Sequence, residues 1–369
     1  MQPANFYRPT FAQIDLNALQ MNILNLKKHI GPAVDVIAVV KANAYGHGDF
    51  EVSTAAVKAG ASMLAVATPD EAIRLRASGI ESPILVMGAS PPSFAVTASQ
   101  NDIMLTVFQT DWFLHIPALP NMLKIHIKID TGMGRLGVTT ESELSTLIQT
   151  INHRQDVVID GVFTHFATAD DEDVVQYTSQ LEKFKTFLHC FPERPRCIHT
   201  ANSAAALMHK ESLFDAVRYG ISMYGLSPSA YVDQGLPFPL ERVMSLHTEV
   251  VHVKKVPAGS SISYGATYTA DEDEWIATLP IGYADGMLRG LSGQEVLIQG
   301  KRLPVIGRIC MDQCMVRLNG HVSIGEPVVL IGRQGNEQVN IEEWAQKLQT
   351  ISYEIPCVLT NRVPRTYTP

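Results

Sequence analysis

The sequence predicts a parallel (β/α)8 TIM-type barrel followed by a mainly antiparallel β domain, on three observations. Between Val36 and Val217, about eight short runs of apolar and β-branched residues alternate with segments of helical period. From about Leu240 the hydrophobic period changes to two, with Gly and Pro between the runs. The early glycine fingerprint of a doubly wound nucleotide-binding sheet is missing. Pro237-Phe238-Pro239 reads as the boundary, giving domains at 1–238 and 239–369.

The elements follow in order. Asp15 reads as an N-cap, and Leu16, Leu19, Ile23, Leu26 and Ile30 then recur on one helical face. A strand at 36–40 runs into Lys41, and a helix is expected from there to about Ala59. Strand Met63–Val66, helix 69–78, strand 84–87, a short helix and strand Ile103–Val107 come next. Strand 125–129, helix 142–151, strand Val157–Phe163 and helix 174–189 continue the alternation. Strand 196–199, helix Ser203–Met208 and strand 216–217 end it. Beyond the boundary, period-two runs occupy 243–256, 275–279, Glu295–Ile298, 302–306, 315–318 and 327–331. A late helix carries Ile341, Trp344, Ala345 and Leu348 behind an Asn340 cap.

Composition narrows the classes of function. Of 369 residues, 46% are hydrophobic and 18% charged, as in ordinary globular chains. The net charge of −8 is spread along the chain with no basic stripe, which argues against nucleic-acid binding. Residues 1–13 lack the charged and apolar regions of a signal peptide, and no apolar run approaches the ~20 residues of a membrane span. A cytoplasmic, membrane-free protein is therefore expected. Five cysteines make no disulfide framework. Cys190, Cys197 and His199, or Cys310 and Cys314, lack paired short-spaced ligands, so buried free thiols are expected and no metal.

In such a barrel function gathers at the carboxyl ends of the strands. Those ends carry Lys41, Lys128 with Asp130, His165, Asn202-Ser203, and Arg218 with Gly220-Ile221. An amine at the mouth of an apolar strand is partly desolvated, so its neutral, nucleophilic form is accessible and can bond a carbonyl. Helix N-termini and exposed amides after the last strands bind phosphate. Together these describe a pyridoxal 5'-phosphate pocket. Each residue also has a plainer reading: a solvated lysine, an N-cap at Ser203, a surface charge at Arg218, a core histidine at His165.

The strings Ala38-Val39-Val40-Lys41-Ala42-Asn43-Ala44-Tyr45-Gly46-His47-Gly48 and Lys128-Ile129-Asp130-Thr131-Gly132-Met133-Gly134-Arg135-Leu136-Gly137 are specific. With them come Arg218-Tyr219-Gly220-Ile221, Ser263-Tyr264-Gly265-Ala266, Gly282-Tyr283-Ala284-Asp285-Gly286 and Gly307-Arg308-Ile309-Cys310-Met311-Asp312-Gln313. On these six motifs the chain resembles the alanine racemase family over essentially its whole length. The resemblance implies a homodimer with shared sites that interconverts L-alanine and D-alanine and serves D-alanine supply to peptidoglycan. It implies that Lys41 holds the cofactor as a Schiff base and is the base on one face, with Tyr264 of a second subunit on the other. Tyr45, Ser203, Gly220, Ile221 and Tyr353 would hold the phosphate, with Asn202 and His165 also at the cofactor. Arg218 would face the pyridine nitrogen, Arg135 the phenolic oxygen and Met311 the substrate carboxylate. Tyr283 and Arg289 would shape the entrance beside Asp312, and Lys128 would be carried as a carbamate (N6-carboxylysine).

Physical reasoning supports these roles. A racemase must move a proton on either face, which requires two bases. A tyrosine near pKa 10 is poorly ionised at neutral pH, and His165 linked to Arg218 could assist it. Arginine stays protonated, so Arg218 would donate to the ring nitrogen and restrain abortive transamination. Adjacent Lys128 and Arg135 would repel, whereas a carbamate on Lys128 would give Arg135 an anionic partner. The rival readings are a broader racemase acting on serine or lysine, a decarboxylase on the same plan, and a non-catalytic cofactor carrier.

Overall fold

The computed structural model describes residues 6–369. The chain divides into two units: Asn17–Glu241, and the segment ending at Leu16 together with Arg242–Pro369. Strand β1 (Phe11–Asp15) thus belongs with the later unit, whereas the sequence reading gave this stretch no strand and counted it in the 1–238 barrel domain. Its burial alternates, with Ala12 and Ile14 inward, so the residue read as an N-cap ends a strand, and the helix Leu16–Ile30 begins directly after it.

Eight parallel strands form the first unit: β2 (Asp35–Val39), β3 (Met63–Val66), β4 (Ile84–Val86), β5 (Ile103–Val107), β6 (Leu123–Lys128), β7 (Val157–Phe163), β8 (Cys197–His199) and β9 (Ala216–Tyr219). They pair in the order β8-β7-β6-β5-β4-β3-β2-β9. Between β8 and β9 the seam is closed by single bonds: Asp215 N–H donates to Ile198 O, Arg218 N–H to Ala201 O, and Ile198 N–H to the Asp215 carboxylate. The result is a nearly closed barrel whose strands are buried on both faces, hence their continuous apolar runs.

Two local departures matter for the site. After β2 the expected helix gives way to a left-handed turn, with φ of 53°, 55°, 52° and 52° at Ala42, Asn43, Ala44 and Tyr45. Glu71 accepts from Ala42 N–H at 2.6 Å and from Ala67 N–H at 2.7 Å, tying this turn to the helix Pro69–Ala77. An ordinary helix starts only at Asp49 (Asp49–Lys58). In β7 the register slips: Ile125 pairs with Ile159 but His126 with Gly161, which leaves Asp160 as the extra residue of a bulge.

The second unit continues with β10 (Met244–Glu249), β11 (His252–Val256), β12 (Ser261–Ile262), β13 (Tyr268–Thr269), β14 (Glu274–Leu279), β15 (Glu295–Ile298), β16 (Lys301–Ile306), β17 (Cys314–Leu318), β18 (Pro327–Gln334), β19 (Glu337–Val339) and β20 (Arg365–Thr368). The main sheet runs β11-β14-β17-β16-β15-β18-β10-β1-β20, with β19 on β18 and β12–β13 as a separate hairpin. Every pair is antiparallel except β1–β20. The run read as one strand over 243–256 is two, because β10 pairs with β18 and β11 with β14. The late helix, Ile341–Leu348, has its Asn340 cap with Glu343 closing a capping box. Among the described residues no helix is long and apolar enough to cross a membrane.

Candidate active site

Lys41 opens the left-handed turn at the carboxyl end of β2, its Nζ 5.9 Å from the centre of the Tyr45 ring. The turn brings Tyr45 back towards β9. A Cβ on Gly220 would stand 2.9 Å from the Tyr45 hydroxyl, so only glycine leaves this cradle open. Ser203 Oγ accepts from Gly220 N–H at 2.9 Å, and Ile221 begins a short 3-10 turn. Tyr45, Ser203, Gly220 and Ile221 therefore converge, whereas the Asn202 side chain is used as a helix cap, accepting from Ala205 N–H at 3.0 Å.

Arg218, read in its plainer form as a surface charge, is 3% exposed, and among the described residues it forms no ion pair with a carboxylate. Nη1 donates to His199 O at 2.7 Å and His199 Nδ1 at 2.9 Å. Nη2 donates its two hydrogens to Thr164 O at 2.7 Å and Thr200 O at 2.8 Å, and lies 3.3 Å from His165 Nδ1. Both terminal nitrogens are thereby used, and among the described residues Nε–H is the donor without a protein acceptor. Burial lowers the Arg218 pKa to about 9, leaving it cationic at neutral pH.

His165 lies at the end of β7, and burial first, then Arg218, Lys128, Arg135 and Lys41, hold it well below 6.5. It is therefore a neutral imidazole, and because the guanidinium facing Nδ1 has only N–H groups and cannot accept, its proton sits on Nε2. It offers a neighbour a hydrogen bond rather than a charge.

Lys128 ends β6, 4% exposed, with its Nζ 5.3 Å from the Phe163 ring centre. Burial, then Arg135 and Arg218, lower it to about 8. Asp130 shapes the loop carrying Arg135 by accepting from Gly132 N–H at 2.9 Å and Gly134 N–H at 3.1 Å. The plainer reading of a solvated Lys128 does not hold.

The second unit presents its residues on loops. Tyr264 is 70% exposed and follows Ser263, which has φ 71° and ψ 178°, a region rarely open to a side chain. Ser263 Oγ donates to Arg308 O at 2.5 Å, holding that conformation. Beside Tyr264 lies an open cavity of about 450 Å³ lined by Lys254, Ser263, Cys310 and Gln313 among others. Met311 and Tyr283 are joined through backbone, with Tyr283 N–H donating to Cys310 O and Ala284 N–H to Met311 O, both at 3.0 Å. Gly282 permits this approach, since a Cβ there would meet Met311 O at 2.4 Å. Asp312 is paired with Arg362 at 2.7 Å. Arg289 opens a 3-10 turn, and Tyr353 precedes the short helix Glu354–Cys357.

Residue matching decides the kinship: an alanine racemase N-terminal domain fits residues 14–228 and an alanine racemase C-terminal domain fits 243–367. The chain belongs to the alanine racemase family. It is 50% identical over 366 residues to the alanine racemase of Geobacillus stearothermophilus, covering 98% of this chain and 94% of that one. Among solved structures, an alanine racemase from Bacillus anthracis with bound L-Ala-P superposes with TM-score 0.96 at 45% identity, covering 99% and 96% of the two chains. A histidine racemase from Leuconostoc mesenteroides subsp. sake superposes with TM-score 0.93 at 29% identity, each chain 99% covered.

As an alanine racemase family member, the chain holds a histidine that sequence reasoning passed over, His126, and one that it weighed only as a metal ligand, His199. His126 and His199 are fully buried, and Phe163 stacks on His199 at 4.8 Å. A signal existed: in Lys124-Ile125-His126-Ile127-Lys128 the polar residues share one parity of a strand, hence one face. The five cysteines are free, but only Cys197 and Cys314 are buried, and Cys357 is exposed, so burial was expected of too many. Among the described residues no group of His, Cys, Asp and Glu could hold a metal ion.

Proposed function

We propose that this protein is a pyridoxal phosphate-dependent alanine racemase working as a homodimer with shared sites. The observation that carries the proposal is Arg218, a buried cation with both terminal nitrogens used on protein acceptors and Nε–H left over at the barrel mouth. That donor suits a neutral pyridine nitrogen. The phosphate would sit in the cradle of Tyr45, Ser203, Gly220 and Ile221, whose emptiness a Cβ on Gly220 would destroy, with Tyr353 as a further contact. When bound, pyridoxal phosphate supplies the electron sink that makes an amino acid's α-proton removable.

The chain's own residues do the remaining work. Lys41 would tether the cofactor and exchange the α-proton on one face. Tyr264 from a second copy would do so on the other, since a base in the same position cannot serve both faces. Its 70% exposure and that of Met311, at 53%, suit side chains that complete a neighbouring molecule's site. His165 Nε2–H would donate to a phenolate and so lower the cost of ionising Tyr264. Arg135 would hold the cofactor's phenolic oxygen and meet a carbamate on Lys128, while Met311, Tyr283 and Asp312 would bound the substrate. D-alanine supply to peptidoglycan in the cytoplasm follows from the family.

Isolated protein should carry the visible absorbance of lysine-bound cofactor and convert L-alanine to D-alanine in a coupled assay. Lys41→Ala should lose both, and Tyr264→Phe should keep the absorbance while losing turnover. Colourless protein after incubation with pyridoxal phosphate would end the proposal. A second reading, a racemase of broader or different specificity, has the histidine racemase of the same architecture in its favour. Rates with alanine, serine, lysine and histidine separate the two.

A further inference from the structure

Arg218 does not stand alone in the barrel; it begins a line of buried side chains. An arginine can only donate, so His199 Nδ1, 2.9 Å from Nη1, is an acceptor and the His199 proton lies on Nε2. His199 Nε2 is 2.8 Å from His126 Nδ1, which must then accept, so the His126 proton also lies on Nε2. That nitrogen is buried, and its nearest acceptor is Asp160 Oδ2 at 3.5 Å, a long contact outside ordinary hydrogen-bond geometry. Asp160 in turn accepts from Arg196 Nε at 2.7 Å and Nη2 at 2.6 Å.

The fold is shaped around this line. The β7 bulge makes Asp160 the unpaired residue, and bulges re-aim side chains. Gly161 beside it leaves room for the imidazole: a Cβ there would lie 2.5 Å from His126 Cε1 and Nδ1. Burial holds both histidines below 6.5 and hence neutral, with one proton each. Burial pushes Asp160 up, but the two bonds from Arg196 and the nearby His126 N–H prevail and keep it well below the usual carboxylate range.

We propose that Asp160 is a positioning residue for Arg218, acting through His126 and His199 to fix which nitrogen of His199 faces the guanidinium. The carboxylate attracts the His126 Nε2–H electrostatically at one end, the guanidinium donates at the other, and each imidazole between them has one proton arrangement that suits both. Replacing Asp160 with Asn removes this direction. At the Oδ1 position an amide nitrogen would oppose Arg196 Nε, and at the Oδ2 position both Arg196 Nη2 and His126, so either rotamer loses the anionic charge that holds the His126 proton on Nε2. Without that charge the His126 proton is free to move to Nδ1, which would push the His199 proton to Nδ1 against the Arg218 N–H. The inference rests on the reading of Arg218 as the cofactor's partner, but proton positions can be read without turnover.

The test is a neutron structure of the deuterated protein, with kinetics on Asp160→Asn and Arg196→Gln. Deuterium on Nε2 of both His126 and His199 is expected; deuterium on Nδ1 of either overturns the proposal even if racemase activity is normal. For Asp160→Asn, kcat for alanine should fall about tenfold or more, the equivalent of one charged hydrogen bond, with KM little changed. Arg196→Gln, which leaves the carboxylate in place, should keep kcat within about twofold. Equal kcat in Asp160→Asn and the parent chain would refute the positioning role. Should Asp160→Asn fail to fold, the neutron positions and the Arg196→Gln rate still decide.

Discussion

Lys128 offers the sharpest quantitative prediction. Its drop from 10.5 to about 8 corresponds, at about 1.4 kcal/mol per pH unit, to roughly 3 kcal/mol borne by the folded chain when this lysine is an ammonium. The unfolded chain binds the proton more tightly, so this cost is complete below pH 8. It shrinks as pH rises towards 10.5 and is gone above. A carbamate abolishes the ammonium and gives Arg135 and Arg218 a nearby anion, so it should recover most of that energy. In CO2-free buffer at pH 7, urea unfolding should therefore come earlier than in saturating bicarbonate, by about 2–3 kcal/mol. The gap should narrow as pH is raised from 8 to 10.5. Lys128→Met should show no bicarbonate response, and intact mass should report one added CO2 in the parent alone. Identical midpoints at pH 7 in the two buffers would refute the reasoning.

Three further outcomes are expected. The lowered pKa values of His126, His165 and His199 mean the unfolded chain binds protons first on acidification. Stability should fall below pH 6.5 by up to about 4 kcal/mol per pH unit until the folded values are reached; a flat urea midpoint between pH 6.5 and 5 would contradict it. Gly220→Ala should leave the barrel folded but raise the dissociation constant for pyridoxal phosphate about 5- to 150-fold by fluorescence titration, matching 1–3 kcal/mol of overpacking against Tyr45. Asp285, fully buried, accepts from Arg8 at 2.8 and 2.9 Å and from Gly282 N–H at 3.0 Å. Asp285→Ala should cost the β unit about 3–5 kcal/mol in urea, and a loss under 1 kcal/mol would count against that pairing.

The alternation of strand and helix was legible because barrel strands covered on both faces must be continuously apolar, and helices covered on one face must repeat at 3.6. The residues at the strand ends were legible for the same reason, since Lys41, Lys128, His165 and Arg218 interrupt that apolarity at one end. What escaped depended on long-range pairing. β1 has the period of a strand, but only its ladders with β10 and β20 assign it to the later unit. The single run at 243–256 divides because its halves pair with different strands. The Asp160 bulge is a register event between two strands, invisible in either alone. The Asn202 oxygen caps a helix, a local role open to any Asn before Ser203 and not read from the sequence.

Backbone strain marks the same places independently. Nine non-glycine residues among those described have positive φ, and six of them are Ala42, Asn43, Ala44, Tyr45, Ser263 and Ala266. Four adjoin Lys41 in one turn, and the other two bracket Tyr264. At roughly 1–2 kcal/mol for each left-handed residue, the turn after Lys41 costs about 4–8 kcal/mol, more than a solvent loop need bear. The left-handed path brings the Tyr45 hydroxyl to 2.9 Å from where a Gly220 Cβ would lie, starting from an amine only four residues earlier. On the proposed function, that strain is the cost of setting a covalent tether and an anion contact on one short segment, held there by Glu71.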